Sequence, residues 1–190
     1  MTAPFSAAAQ VRAPDAPWTW TTRILATGSS DKSEPAGYKL YSAFTIEAGL
    51  RRTFSRILSA ELTVRTESRE VDSLFPAGED RRLGSLELLP LNLLLQFRPP
   101  MGGAVHPYGG AGVNLTVAWE KSGALDSTDM AGSVGPALQA GVDFDLSPEA
   151  LLNVDLRWNS MSADLKNGDT RLTSVKVDPV SLGVGVGFHF

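Results

Sequence analysis

Along most of the chain an apolar residue stands at every second position. From Val180 onward the even positions are Val180, Leu182, Val184, Val186, Phe188 and Phe190, and the odd ones are Ser181, Gly183, Gly185, Gly187 and His189. Such strict alternation belongs to an extended strand with two unlike faces, because successive Cβ atoms point to opposite sides of the pleat. The same pattern sets Leu138, Ala140, Val142 and Phe144 against Gln139, Gly141, Asp143 and Asp145, and Leu152, Val154, Leu156 and Trp158 against Asn153, Asp155 and Arg157. It recurs with Ala111, Val113, Leu115 and Val117 against Gly110, Gly112 and Asn114, and with Leu91, Leu93, Leu95 and Phe97 against Asn92, Gln96 and Arg98. Nearer the start, Leu58, Ala60, Leu62 and Val64 oppose Glu61 and Arg65, and Phe44, Ile46 and Leu50 oppose Glu47 and Arg51. A weaker first strand carries Trp18, Trp20 and Ile24 in phase. The pattern predicts about eight strands, and no stretch follows the helical period.

The connections alternate in length. "RTFS", "PPMGGAV" and "SPEA" are short, whereas "TGSSDKSEPAG", "ESREVDSLFPAGEDRRLG", "KSGALDSTDMAGS" and "SADLKNGDTRLTS" are long and charged. An antiparallel meander of this kind gathers the long links at one end, and the tight turns and both termini at the other. Barrels of the bacterial outer membrane have that asymmetry, with short periplasmic turns and longer external loops.

Which face points inward separates two barrel classes. A soluble, lipocalin-like barrel turns its apolar face inward and its polar face to water. Here the polar face is rich in glycine, which weakens strands. A barrel of about eight strands, by contrast, has room inside for only a limited volume of side chain. The glycine-bearing face is therefore expected inside, and the apolar face against lipid. The alternating segments are long enough to cross an apolar layer when tilted, and closure pairs every backbone group. The expected fold is all-β: an eight-stranded antiparallel transmembrane β-barrel, an up-and-down meander over residues 17–190, in the bacterial outer membrane.

Composition removes several alternatives. The 190 residues carry 17 basic and 21 acidic side chains, a formal charge of -4, with no long run of either sign, so no nucleic-acid footprint is present. Cysteine is absent, which excludes a disulfide framework and thiol chemistry. No apolar run approaches the roughly 20 residues of a membrane helix. Residues 1–16 lack the charged and apolar regions of a signal peptide, yet "SAAAQ" offers an A-x-A site ending at Ala9. A flexible leader and the remnant of an export signal both stay open for this stretch.

Four segments, "PLNLLLQFRP", "HPYGGAGVNLT", "VGPALQAGVDFDLSPEALLNVDLRW" and "VKVDPVSLGVGVGFHF", resemble in order and spacing the OmpW family of small outer-membrane β-barrels. The most specific pieces are the blocks Tyr108 to Asn114, Gly135 to Asp143 and the ending from Asp178. The N-terminal third matches only in general character. The resemblance implies a narrow barrel among outer-membrane lipid and lipopolysaccharide, associated with passage of small, often hydrophobic molecules or ions. A non-transporting envelope barrel, acting as surface receptor or structural protein, is the alternative. The resemblance also implies that the terminal Phe190 is an assembly signal read by the outer-membrane assembly machinery.

Candidate chemistry is confined to the inward face. Glu47, Arg51, Glu61, Arg65, Gln96, Asn114, Gln139, Asp143, Asp155 and Arg157 are the expected lumen-lining residues. Being of both signs, their charges either pair across the lumen and plug it or select a small-molecule permeant. No catalytic set is visible: His106 and His189 do not share a site, and the outward strand positions offer no nucleophile with a base beside it. No cofactor motif is present, and Asp126 and Asp129 lack metal-loop spacing. Pro136 and Pro179 each remove a ladder donor, which makes them candidates for a kink or lateral opening in the wall.

Overall fold

The computed structural model describes residues 17–29, 38–39, 43–73, 81–121, 129–130, 133–167 and 170–190. The leader at 1–16 and Asp126 lie outside the described residues. Thirteen strand segments follow one another: β1 (Trp18–Ser29), β2 (Tyr38–Lys39), β3 (Ala43–Thr53), β4 (Leu58–Arg65), β5 (Glu67–Ser73), β6 (Arg81–Phe97), β7 (Val105–Lys121), β8 (Asp129–Met130), β9 (Ser133–Asp145), β10 (Ala150–Asn159), β11 (Met161–Asn167), β12 (Thr170–Val177) and β13 (Pro179–His189). They make eight walls, since β2 and β3, β4 and β5, β8 and β9, β10 and β11, and β12 and β13 are successive parts of single wall strands. Every pairing is antiparallel, and β13 closes the barrel by pairing with β1 on one side and β10 on the other.

The period of two becomes an inside and an outside. On β1, Thr19, Thr21, Arg23, Leu25 and Thr27 are buried, and Trp20, Thr22, Ile24, Ala26 and Gly28 between them are exposed. On β13, Val180, Leu182, Val184, Val186 and Phe188 are exposed. The register aligns the two faces between neighbours: Ile24 stands beside Ile46 on one side and Val184 on the other, while Arg23 stands beside Glu47. Apolar residues thus form a continuous outer skin, and opposite charges meet within.

Two of the long links expected from the sequence are mostly strand. β5 pairs with the first half of β6, from Ser73 opposite Arg81 to Glu67 opposite Leu88, and β11 pairs with β12. The reason is physical. Apolar alternation is required only where the wall meets hydrocarbon, whereas the backbone ladder continues wherever partners remain in register. At about 3.4 Å per residue, the 17-residue β6 and β7 run to roughly 58 Å, well beyond a 25 Å apolar band even when tilted. The tight ends are as expected: Phe54–Ile57, 98–104 and 146–149. Pro136 does not end pairing with β7, whose register with β9 runs continuously through it, although the β9–β10 ladder ends at Ala137, and Pro179 opens β13 directly after Asp178.

Candidate functional site in the barrel interior

Arg23 is the centre of the interior. Its Nη1 donates to Glu47 Oε1 at 2.9 Å, its Nη2 to Glu61 Oε1 at 2.5 Å and its Nε to Asn153 Oδ1 at 2.5 Å. The other oxygen of Glu47 accepts from Arg157 Nη1 at 2.5 Å, and Arg157 Nη2 donates to Asp155 Oδ1 at 3.0 Å. Glu61 Oε2 accepts from Gln96 and Gln139 at 2.7 and 2.9 Å. Six strands, β1, β3, β4, β6, β9 and β10, are thereby tied through one layer.

Nearer the tight turns, Asp143 Oδ2 accepts from Arg51 at 2.7 Å and Arg98 at 2.8 Å, while Asn153 donates to its other oxygen at 2.6 Å. Both guanidinium groups lie over the ring of Tyr108, at 5.4 and 4.9 Å from its centroid. The Tyr108 hydroxyl donates to Asp155 at 2.8 Å and accepts from Asn153 at 2.9 Å. On the far side Arg65 meets Glu67 and Ser181, and Asn114 donates to Asn92, which reaches Arg157 through Thr63. Eight of the ten candidate residues thus share one network directly, Asn114 joins it through Asn92 and Thr63, and Arg65 stands in an adjoining group.

The interior as a whole balances its own charge. Arg23, Arg51, Arg65, Arg98 and Arg157 face Glu47, Glu61, Glu67, Asp143 and Asp155, five of each sign, and none is more than 6% exposed. Removing one member of such a set strands its partner, which is where the cost lies. Among the described residues no group of His, Cys, Asp and Glu side chains is disposed to hold a metal ion. The two histidines stand apart near the tight-turn end, His106 with Asp145 and His189 with Thr19.

The glycine face makes room for these large side chains. A Cβ at Gly141 would overlap the Tyr108 ring and the Val154 carbonyl, and one at Gly49 would meet Thr21, Glu61 and Arg23. Gly183 and Gly187 lie against Leu25 and Leu151 in the same way. Bare positions on one strand are thus filled by the long side chains of another, as a narrow barrel requires.

Sequence reasoning passed over Arg23 and Tyr108, and it placed Arg98 on the polar face without counting it among the lumen-lining residues. Arg23 stands in phase with Thr19, Thr21 and Thr27, so the period of two carried the signal, but the first strand was read from its tryptophans. Tyr108 is in phase with Gly110 and Gly112, yet an aromatic near a strand end is ordinarily assigned to an interfacial girdle.

An apolar skin, a closed antiparallel wall and a charge-paired interior define a β-barrel of the bacterial outer membrane, set among its lipid and lipopolysaccharide. Residues 20–190 match the OmpW family, and the chain belongs to it. It is 29% identical over 186 residues to the uncharacterized outer-membrane protein y4mB of Sinorhizobium fredii, covering 92% of this chain and 80% of that one. It is 30% identical over 113 residues to the dibenzothiophene metabolism operon protein PahQ of Pseudomonas aeruginosa, covering 57% of this chain and 54% of that protein. The crystal structure of the outer membrane protein OprG from Pseudomonas aeruginosa superposes with a TM-score of 0.69 at 26% identity, covering 92% of this chain and 96% of that one.

Proposed function

We propose that the barrel passes small apolar molecules inward across the outer membrane and does not conduct ions. The observation that carries this reading is the neutral interior, in which five arginines and five carboxylates are buried and paired, with Arg23 at the centre of the network. A permeant ion crossing it would have to separate buried ion pairs, each of which is strongly coupled in a low-dielectric interior. An apolar molecule has another way out, through the wall into the lipid. Support for such an exit comes from the seam at Pro136, which offers no amide donor and beyond which the β9–β10 ladder does not continue; what holds the seam there is the Ser160 amide on the Pro136 carbonyl at 2.9 Å and the Ser160 hydroxyl on Asp178 at 3.1 Å. The relative named for a dibenzothiophene metabolism operon points to a heteroaromatic of that kind as a first compound to try.

In this reading the expected lumen-lining residues form the floor of the passage, and their role is to seal it. Phe190 serves the assembly machinery: it is 62% exposed, and its backbone pairs with Trp18 through two hydrogen bonds. Cells with intact lipopolysaccharide that produce the chain should take up dibenzothiophene faster than cells without it, and the purified barrel in a planar bilayer should show no steady ionic current. Steady current would replace this reading by an ion channel. Absence of both current and faster uptake would favour the receptor or structural barrel, which the sealed interior also suits.

A further inference from the structure

Three residues whose exposure is described, Arg52, Arg56 and Glu149, are exposed and charged, and only Arg52 among them stands on a strand. The outward positions of β3 run Phe44, Ile46, Ala48, Leu50 and then Arg52, so the apolar stripe ends at this guanidinium. Its Cζ lies over two rings at once, 5.2 Å from Trp18 and 5.9 Å from Phe54, and Trp18 is its register partner on β1. Arg56 follows in the same tight turn. Among the described residues Arg52 meets no carboxylate, whereas each buried arginine does.

We infer that Arg52, held by Trp18 and Phe54 and assisted by Arg56, binds the phosphate of a phospholipid in the periplasmic leaflet. The tight turns lie on the periplasmic side, and the last outward position before a turn stands where hydrocarbon gives way to headgroups. Stacking on aromatic rings occupies the flat face of a guanidinium and leaves its edge donors free, in the fork that fits two phosphate oxygens. The rings also fix the side chain beforehand, so less rotamer freedom is lost on binding. Lipopolysaccharide phosphates belong to the opposite leaflet, which leaves phospholipid as the occupant.

Native mass spectrometry of the full chain in neutral detergent, titrated with short-chain phosphatidylglycerol, tests this. The unmodified chain should hold one lipid roughly fivefold to tenfold more tightly than R52A, as a charge-assisted bidentate contact implies. R52K should fall between them, because it keeps the charge and loses the fork. The diacylglycerol of the same chains should bind weakly and equally to all three. Unheated gel mobility shows that each variant is folded, and R52Q takes the place of R52A should that variant fail to fold. Equal retention of phosphatidylglycerol by the unmodified chain and R52A, or equally tight retention of diacylglycerol, overturns the assignment. Tight saturable binding of inorganic phosphate alone also overturns it, since that marks a free-anion site.

Discussion

Arg157 of β10 and Glu47 of β3 meet across the barrel at 2.5 Å, although 110 residues separate them in the chain. The contact joins the early strands to the late ones, so it forms only when the wall has closed in the right register. Truncating Arg157 to alanine leaves the buried Glu47 with Arg23 alone, and the expected loss is about 3–5 kcal/mol. Replacing both residues by apolar ones of similar volume, E47L with R157M, should recover more than half of that, because Arg23 keeps Glu61 and Asp155 keeps Tyr108 and Gln139. Urea titration of barrels in lipid vesicles measures both, and a double variant as weak as R157A would mean that the pair is not the coupled unit.

Glycine substitutions should separate by what lies opposite. G141A drives a methyl group into the Tyr108 ring and the Val154 backbone, and is expected to cost about 2–3 kcal/mol. G109A meets only the Gln139 carbonyl, at 3.9 Å, and should stay within about 0.5 kcal/mol of the unmodified chain. The difference is read from the denaturant midpoint of each barrel. Similar midpoints would show that the space beside Tyr108 is not filled in the membrane.

Orientation can be read from lipid contact. A fluorophore attached through cysteine at position 138 or 184, whose native Leu138 and Val184 are exposed, should be quenched by brominated acyl chains. Attached at 114 or 139, where Asn114 and Gln139 are buried, it should be spared or should block folding. Stronger quenching at 114 than at 184 would invert the barrel and return the soluble class.

Deleting Phe190 should lower the amount of barrel inserted in cells while leaving refolding into vesicles close to normal. The ring contributes little burial, and what is lost from the fold is the pair of backbone bonds to Trp18, worth about 1–3 kcal/mol in all. Counting inserted barrels in envelope fractions against refolding yield in vitro separates the two roles. Equal loss in both settings would make the residue structural.

The wall was legible because lipid imposes a rule on every second residue. Leu182, Val184 and Val186 cannot be exchanged for polar residues without exposing them to hydrocarbon, so their phase reads directly from the chain. Beyond the membrane that rule lapses, and the continuation of the ladder left only short traces, Met161, Ala163 and Leu165 in β11 and Val175 and Val177 in β12, and in β5 Val71 alone. The interior was half legible. Period two places Arg51 and Asp143 on the inside, but which carboxylate meets which guanidinium depends on strand stagger and on long side chains reaching over several strands. Arg23 shows the limit: its face follows from its position, and its central place follows only from the closed geometry.

The neutral interior around Arg23 also bears on how many copies a cell can carry. A porin with an open lumen enlarges the leak of the envelope with every copy inserted. In the proposed reading the ion pairs close the bore, so abundance and leakiness are uncoupled. A cell crowded with this barrel is expected to stay as tolerant of small hydrophilic antibiotics as one without it, and to become sensitive when Arg23, Arg51 and Arg157 are all replaced by alanine.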